Sequence, residues 1–347
     1  MPAVDTIWFT RCPVPTATGL AYKLGWLDEE FSPDGIKVRT LQDNRELLRH
    51  HYDHELTSLI REGGNLFSIP ARGQGARTKL VGLTWIDEWQ SILVRPGSGI
   101  GTPQDLVGKR LALPAFRPAD LAENKRGRSI ARGMSLAGYK GALASISRTL
   151  DDVQLVEVGS EVASDDGRED LGRLWSGLGA LVSGRVDGVY VKGAAAAEAA
   201  RRHGAIVGID LDRLSERRFR VNNGTPRPIT AHEELIERHP DLLIRFLYQT
   251  LRAADWAKEN LDGVRRVLEG ETRSGASGVA EAYRDGFQLT LAPDLSDERL
   301  DLFRRQKDFQ LIHGFLDRDF DFDSWIDPRP LQEAQRRWEL SQKGQAA

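Results

Sequence analysis

Cys12 is the single cysteine among 347 residues, and it stands in the string Thr10-Arg11-Cys12-Pro13-Val14-Pro15-Thr16. A lone cysteine has no partner for an internal disulfide, so its use lies in packing, in metal ligation or in the reactivity of its thiol. As packing it would be one more small buried apolar group. Its position favours chemistry. A strand-like run, Val4 to Phe9, precedes it, and Ala17 to Leu27 carries apolar residues at helical spacing behind it, with Thr16 as N-cap. Ligands of open α/β folds bind at the carboxyl ends of strands. A helix N-terminus and the neighbouring Arg11 would both favour a thiolate there.

The second concentration of reactive groups is His50-His51-Tyr52-Asp53-His54, with Arg61-Glu62-Gly63-Gly64 following at a ten-residue spacing from His51 to Arg61. Three readings fit these residues. His51 or His50 with His54 could share a helical face and bind a metal, with Asp53 or Glu55 adding oxygen, although no His-Glu-x-x-His pattern occurs. The segment could instead be a solvated polar helix start. Or one histidine and Arg61 meet Cys12, where the planar guanidinium would grip a two-oxygen anion such as a carboxylate or sulfinate. Gly63 and Gly64, lacking Cβ atoms, could bring backbone N–H groups to the same oxygens.

The elements that must position these groups alternate. Short β-branched runs occur at Ile36 to Leu41, Leu66 to Ile69, Lys79 to Ile86, Ser91 to Val94, Arg110 to Pro114, Val153 to Val158, Val186 to Val191 and Ala205 to Ile209. Amphipathic stretches such as Leu171 to Val182 and Ala194 to Arg202 lie between them. That order predicts α/β architecture with mixed, mostly parallel sheets. Turn-rich breaks at Pro96 to Gly101 and Asn222 to Pro228 divide the chain. The expectation is a two-lobed, periplasmic-binding-protein-like fold: residues 1–98 and 222–347 form one lobe and 99–221 the other, with a cleft between them and a helical C-terminal part.

Composition narrows the function classes. A net charge of −3 with both signs mixed along the chain gives no reason to expect nucleic acid or a membrane surface as partner. No stretch approaches the roughly eighteen apolar residues of a membrane span, and no signal-like segment opens the sequence, so a cytoplasmic protein is expected. Gly73-Gln74-Gly75-Ala76 and Gly275-Ala276-Ser277-Gly278 lack the strand context of phosphate-binding loops. No cofactor is expected.

Taken together, Cys12-Pro13-Val14-Pro15, Gly25-Trp26-Leu27-Asp28, the His-aromatic pair, Arg61-x-Gly63-Gly64, Arg77 to Thr84, and Val186 to Tyr190 resemble the 2′-hydroxybiphenyl-2-sulfinate desulfinase family. The similarity continues through Asp255-Trp256-Ala257 and Phe303 to Phe309 to Asp323-Ser324-Trp325. The resemblance implies a solute-binding-protein fold turned into a cofactor-free, metal-free enzyme that cleaves an aryl C–S bond and releases sulfite. It matches Cys12 to the essential cysteine, Arg61 and the Gly64 backbone to the sulfinate-holding groups, and His51 to the active-site histidine, with His50 as the alternative. Tyr52 and His54 replace the family's phenylalanine and tyrosine, which alters the aromatic pocket. A monomer acting on a small aromatic sulfinate is expected. Cys12 could deliver a proton to the ring, or attack sulfur to give a thiosulfonate-like intermediate. The rivals are a binding protein for a sulfonate, sulfinate or carboxylate importer, and a decarboxylase-type lyase acting on an aromatic acid.

Overall fold

The computed structural model describes residues 4–116, 118–122, 129–159, 177–272, 274–284 and 286–345. In chain order the strands are β1 (Thr6–Phe9), β2 (Lys37–Thr40), β3 (Leu59–Glu62), β4 (Thr78–Thr84), β5 (Gln90–Val94), β6 (Arg110–Pro114), β7 (Gln154–Val158), β8 (Val189–Lys192), β9 (Ile206–Asp210) and β10 (Arg227–His232). The chain forms two compact units, Met1–Ile86 with Gly224–Glu271 and Asp285–Ala347, and Asp87–Asn223 with Thr272–Arg284. None of the described helices is long and apolar enough to cross a membrane.

The first unit is built on a five-stranded sheet in the order β2-β1-β3-β10-β4. β1 runs parallel to β2 and β3, while β10 is antiparallel to both β3 and β4. β1 and β2 bury alternate residues, as strands with one dry face do. All four residues of β3 are buried, including Arg61 and Glu62. β4 ends the order but stays covered, because Asp294 and Ile326 bridge onto Leu83 and Leu80. Beneath it Ile69, Leu80, Leu83, Phe303, Leu316, Phe322 and Trp325 form an apolar cluster, with the Phe303 and Trp325 rings stacked at 5.8 Å.

The second unit holds an antiparallel sheet, β8-β5-β9, and a parallel pair, β6-β7. Tyr139 ties them: its hydroxyl donates to the Ala112 carbonyl at 2.7 Å and accepts the Tyr190 N–H at 2.9 Å.

Several elements depart from the sequence expectation. Leu66 to Ile69 is not a strand but part of the helix Asn65–Gly73, since a four-residue apolar run suits either element and its burial on every side decides nothing. β3 and β10 were not anticipated. β3 ends in two charged residues, and β10 contains Pro228, which argues against a central strand. The sheets are mixed as expected, with a larger share of antiparallel pairing than the expectation of mostly parallel strands. The break at Pro96 to Gly101 falls inside the second unit, because β5 before it pairs with β8 and β9. The long apolar stripe from His232 to Glu259 is split by Pro240 into helices Glu233–Arg238 and Pro240–Glu259. Ala194–Arg202 is helical as expected, and so is Gly177–Val182; residues 171–176 lie outside the described set.

One buried side chain joins three parts of the first unit. Asn65, with no exposed surface, donates through Nδ2 to the Pro226 carbonyl at 3.2 Å and accepts at Oδ1 from Gln306 and Gln310 at 3.1 and 3.2 Å. Asn65→Ala strands those groups without partners, which is expected to lower unfolding stability by on the order of 3 kcal/mol. Urea denaturation of the two proteins measures the difference.

Candidate functional site

Two donors from the segment after β1 converge on one acceptor at the end of β3. Thr10 Oγ1 donates to the Glu62 carbonyl at 2.9 Å, and Cys12 Sγ reaches the same oxygen at 3.5 Å. The thiol is partly exposed. Thr16 caps the helix Ala17–Lys23 as expected, its Oγ1 accepting the Gly19 N–H at 3.0 Å. The electropositive surroundings foreseen for the thiol have a different origin, however. The Thr18 N–H points to the Glu62 carboxylate at 3.4 Å, and the Arg11 side chain turns to Glu271 at 3.1 Å. The positive neighbour of Cys12 is Arg61, whose protonated form the cysteine favours electrostatically.

Arg61 is only 1% exposed. Its Nη2 donates to the Gly64 carbonyl at 3.1 Å, while Nε and Nη1 are buried without a hydrogen-bond partner. The guanidinium is lowered to about 10, chiefly by burial; Cys12 and Tyr52 oppose the shift and Arg227 adds to it. It remains a cation at neutral pH. Such a group, held by one carbonyl and otherwise unpaired, is costly unless an anion completes it. Gly63 permits this shape. A Cβ at Gly63 would stand 2.7 Å from Arg61 Cζ, so only glycine lets the guanidinium fold back over its own loop. The Gly63 N–H is spent on the Pro228 carbonyl at 3.2 Å and is not the anion donor that the sequence suggested. Gly64 precedes the nine-residue helix Asn65–Gly73 as its N-cap.

The histidines separate into distinct roles. His50 is buried and held through Nδ1 by Asp53 Oδ1 at 2.8 Å, an intrahelical pairing. His54 closes the short helix His50–Asp53 in the left-handed conformation, φ 57°, with Nε2 against the His51 carbonyl at 3.2 Å. Its Nδ1 has no partner. His51 also has a buried, unpartnered Nδ1. Burial first and the Arg61 charge second hold the His51 imidazole well below its ordinary range, and the same causes act on His54. Both rings are neutral at pH 7. Among the described residues no group of three or more His, Cys, Asp or Glu side chains could hold a metal ion.

Phe67 was not anticipated as a site residue. Its ring lies edge-on to both His51 and Tyr52, each at 4.9 Å, and the Arg61 Cζ is 5.7 Å from its centroid. Phe67 thus meets the guanidinium and both neighbouring rings. Phe67 was hidden by the strand reading of its segment; at helical spacing it falls on the turn that begins at Gly64. Glu62 was also missed. Its carboxyl is fully buried and pushed upward by desolvation, while Thr18, the charge of Arg227 and the Thr84 hydroxyl, the last at 2.8 Å, partly compensate.

No family model matches the chain. It is 26% identical to 2′-hydroxybiphenyl-2-sulfinate desulfinases of Rhodococcus erythropolis and Rhodococcus qingshengii, over 96% of this chain and 94% of theirs. The motif resemblance therefore extends along nearly the whole length. Among solved structures, the desulfurization enzyme DSZB aligns with TM-score 0.75 and 24% identity, covering 96% of this chain and 99% of that one. A cysteine-to-serine mutant of DSZB in complex with biphenyl-2-sulfinic acid aligns with the same score. The periplasmic aliphatic sulphonate binding protein SsuA from Escherichia coli aligns with TM-score 0.66 at 14% identity, over 94% of this chain and 92% of its own. These likenesses give the fold: an α/β chain of the solute-binding-protein type.

The burial of the imidazoles has a direct spectroscopic consequence. The neutral form is the one that burial and the Arg61 cation favour, so the Hε1 resonances of His51 and His54 are expected to stay at neutral-form positions as pH falls from 8 through 6.5. Arg61→Met removes the second cause and should move both transitions upward. Histidine-selective NMR titration checks both statements.

Proposed function

We propose that this protein is a cofactor-free desulfinase that hydrolyses the C–S bond of an aryl sulfinate, releasing sulfite and leaving hydrogen on the ring. The observation that carries this reading is a buried, largely unpaired guanidinium beside the chain's single thiol. The relatives named for 2′-hydroxybiphenyl-2-sulfinate support the same substrate class.

In this reading the sulfinate oxygens complete Arg61 at Nε and Nη1, with the Gly64 backbone as second holder, and the ring lies against the aromatic edge of His51, Tyr52 and Phe67. The contact of Cys12 Sγ with the Glu62 carbonyl suits a protonated sulfur, since a carbonyl accepts and does not donate. That favours proton delivery over attack on sulfur. Cys12 transfers its proton to the ipso carbon; the C–S electron pair returns to the ring as sulfur dioxide departs; water converts the sulfur dioxide to hydrogen sulfite and a proton, which restores the thiol. Neutral His51 offers Nδ1 as an uncharged polar contact to substrate. An imidazolium there would add a second positive charge beside that of Arg61, which disfavours it. His50 is held by Asp53, and His54 packs its Nε2 against the His51 carbonyl.

Incubation with aryl sulfinates should liberate sulfite, measurable with a thiol-exchange dye. Cys12→Ser is expected to lower the rate by about a thousandfold, in line with loss of a general acid, while sulfinate binding changes less than threefold by calorimetry. Binding without sulfite release from the unsubstituted protein would instead indicate a binding protein, and an active Cys12→Ser variant would remove the thiol from the mechanism.

A further inference from the structure

The parallel pairing of β1 with β2 continues past the ends of both strands. From Thr6 with Lys37 to Phe9 with Thr40, each β1 residue faces the one 31 positions later. Arg11 and Gln42 keep that offset, but there a side chain takes over from the backbone. Gln42 Nε2 donates to the Arg11 carbonyl at 2.8 Å, and Gln42 Oε1 accepts the Arg11 N–H at 3.2 Å. A primary amide offers a donor and an acceptor side by side, as a neighbouring strand would. Beyond Thr40 the chain no longer supplies that backbone, because Leu41–Asp43 is a 3₁₀ turn, closed by the Thr40 N–H on Asp43 Oδ2 at 3.1 Å. Gln42 stands on this turn and is exposed.

What the amide holds is the segment that carries the thiol. Arg11 lies between the two residues that reach the Glu62 carbonyl, Thr10 through Oγ1 at 2.9 Å and Cys12 through Sγ at 3.5 Å. The Arg61 guanidinium folds back onto the same peptide unit, with Cζ 2.7 Å from where a Cβ of Gly63 would stand. Thiol and guanidinium are thus set against the one Glu62–Gly63 peptide, each from its own strand end. Arg61 is held there by the Gly64 carbonyl. A thiol is a weak donor, so its own contact with Glu62 cannot fix the path of residues 10–12, and the two bonds to Gln42 bear directly on the residue before it.

We infer that Gln42 is a positioning residue for the thiol: its amide keeps Arg11 in strand register, so that Cys12 Sγ stands at the anion that Arg61 holds. This rests on the desulfinase reading for the anion being a sulfinate, whereas the placing of the thiol against the guanidinium stands on the contacts themselves. Gln42 acts through Arg11. Its loss leaves the contacts of Arg61 in place, so the cost falls on the reacting step and not on anion binding.

Gln42→Met keeps the length of the side chain and removes both hydrogen-bonding groups at an exposed position. Because Cys12 is the single cysteine, its alkylation reads the thiol directly. Iodoacetate carries a negative charge that a guanidinium beside the sulfur attracts, and iodoacetamide is its neutral counterpart. The ratio of their rate constants cancels changes in exposure and in thiolate fraction. In Gln42→Met that ratio is expected to fall by about threefold or more, toward the value of Arg61→Met. With an aryl sulfinate as substrate, kcat for sulfite release should fall by about tenfold or more while KM stays within about twofold. An unchanged ratio, an unchanged kcat, or a KM that rises as steeply as kcat falls overturns the inference. Should Gln42→Met fail to fold, Gln42→Ala reads the same quantities against the same criteria. If the unsubstituted protein releases no sulfite from any aryl sulfinate, the desulfinase reading falls and the alkylation ratio alone decides: a lowered ratio keeps Gln42 as the positioning residue of the thiol, and an unchanged one removes it.

Discussion

The five residues from Arg61 to Asn65 are held from three directions, and the site follows from that restraint. Thr10 and Cys12 reach the Glu62 carbonyl from the end of β1; Pro228 and Pro226 accept from Gly63 and Asn65 along β10; Gln306 and Gln310 clamp the Asn65 oxygen from the helix Asp297–Ile312. Each partner comes from a different stretch of chain, so the loop is fixed only when the unit is folded. A guanidinium cannot be kept partly unpaired in a dry site by its own preference, because it would turn toward water or a carboxylate. The restraint supplies what the side chain lacks.

The same burial decides which groups near the thiol carry charge. Desolvation weakens the charged form of every titratable group, but the rigid guanidinium, with by far the highest intrinsic pKa, is the one that keeps its proton. The imidazoles of His51 and His54 lose theirs, and the carboxyl of Glu62 is pushed toward the neutral form. The region around Cys12 is therefore cationic through arginine alone.

Much of this was legible in the sequence where a local rule acted alone. Thr16 as a cap, the strand before Cys12 and the helix Ala194–Arg202 follow from residue types and spacing over a few positions. Gly25 sits at φ 81° between the helices Ala17–Lys23 and Trp26–Phe31, a conformation its lack of a Cβ makes cheap, which accounts for one resemblance motif structurally. Phe303 and Trp325, quoted from two other motifs, prove to be core partners. What escaped the sequence is what long-range pairing creates. β3 and β10 stabilise each other although one ends in charges and the other contains proline, and neither is persuasive alone. The joining of Arg227 to the Arg61 loop across more than one hundred and fifty positions left no local trace.

The desulfinase proposed for this site rests on a general requirement of oxyanion chemistry. Gripping an oxyanion of sulfur and cleaving its bond to carbon begin from the same requirement, a preformed set of donors that the anion alone completes. Arg61, with two of its nitrogens unpaired, meets that requirement in either kind of protein. Turning a grip into a reaction needs only one further group able to move a proton at the held atom, and it must sit on the wall of the grip and not in place of it. In the proposed reaction Cys12 is that group: it contacts the Glu62 carbonyl, one residue from the arginine, at 3.5 Å. A stronger hydrogen bond at that position would hold the proton too well, and a carboxylate there would neutralise the guanidinium; a thiol does neither.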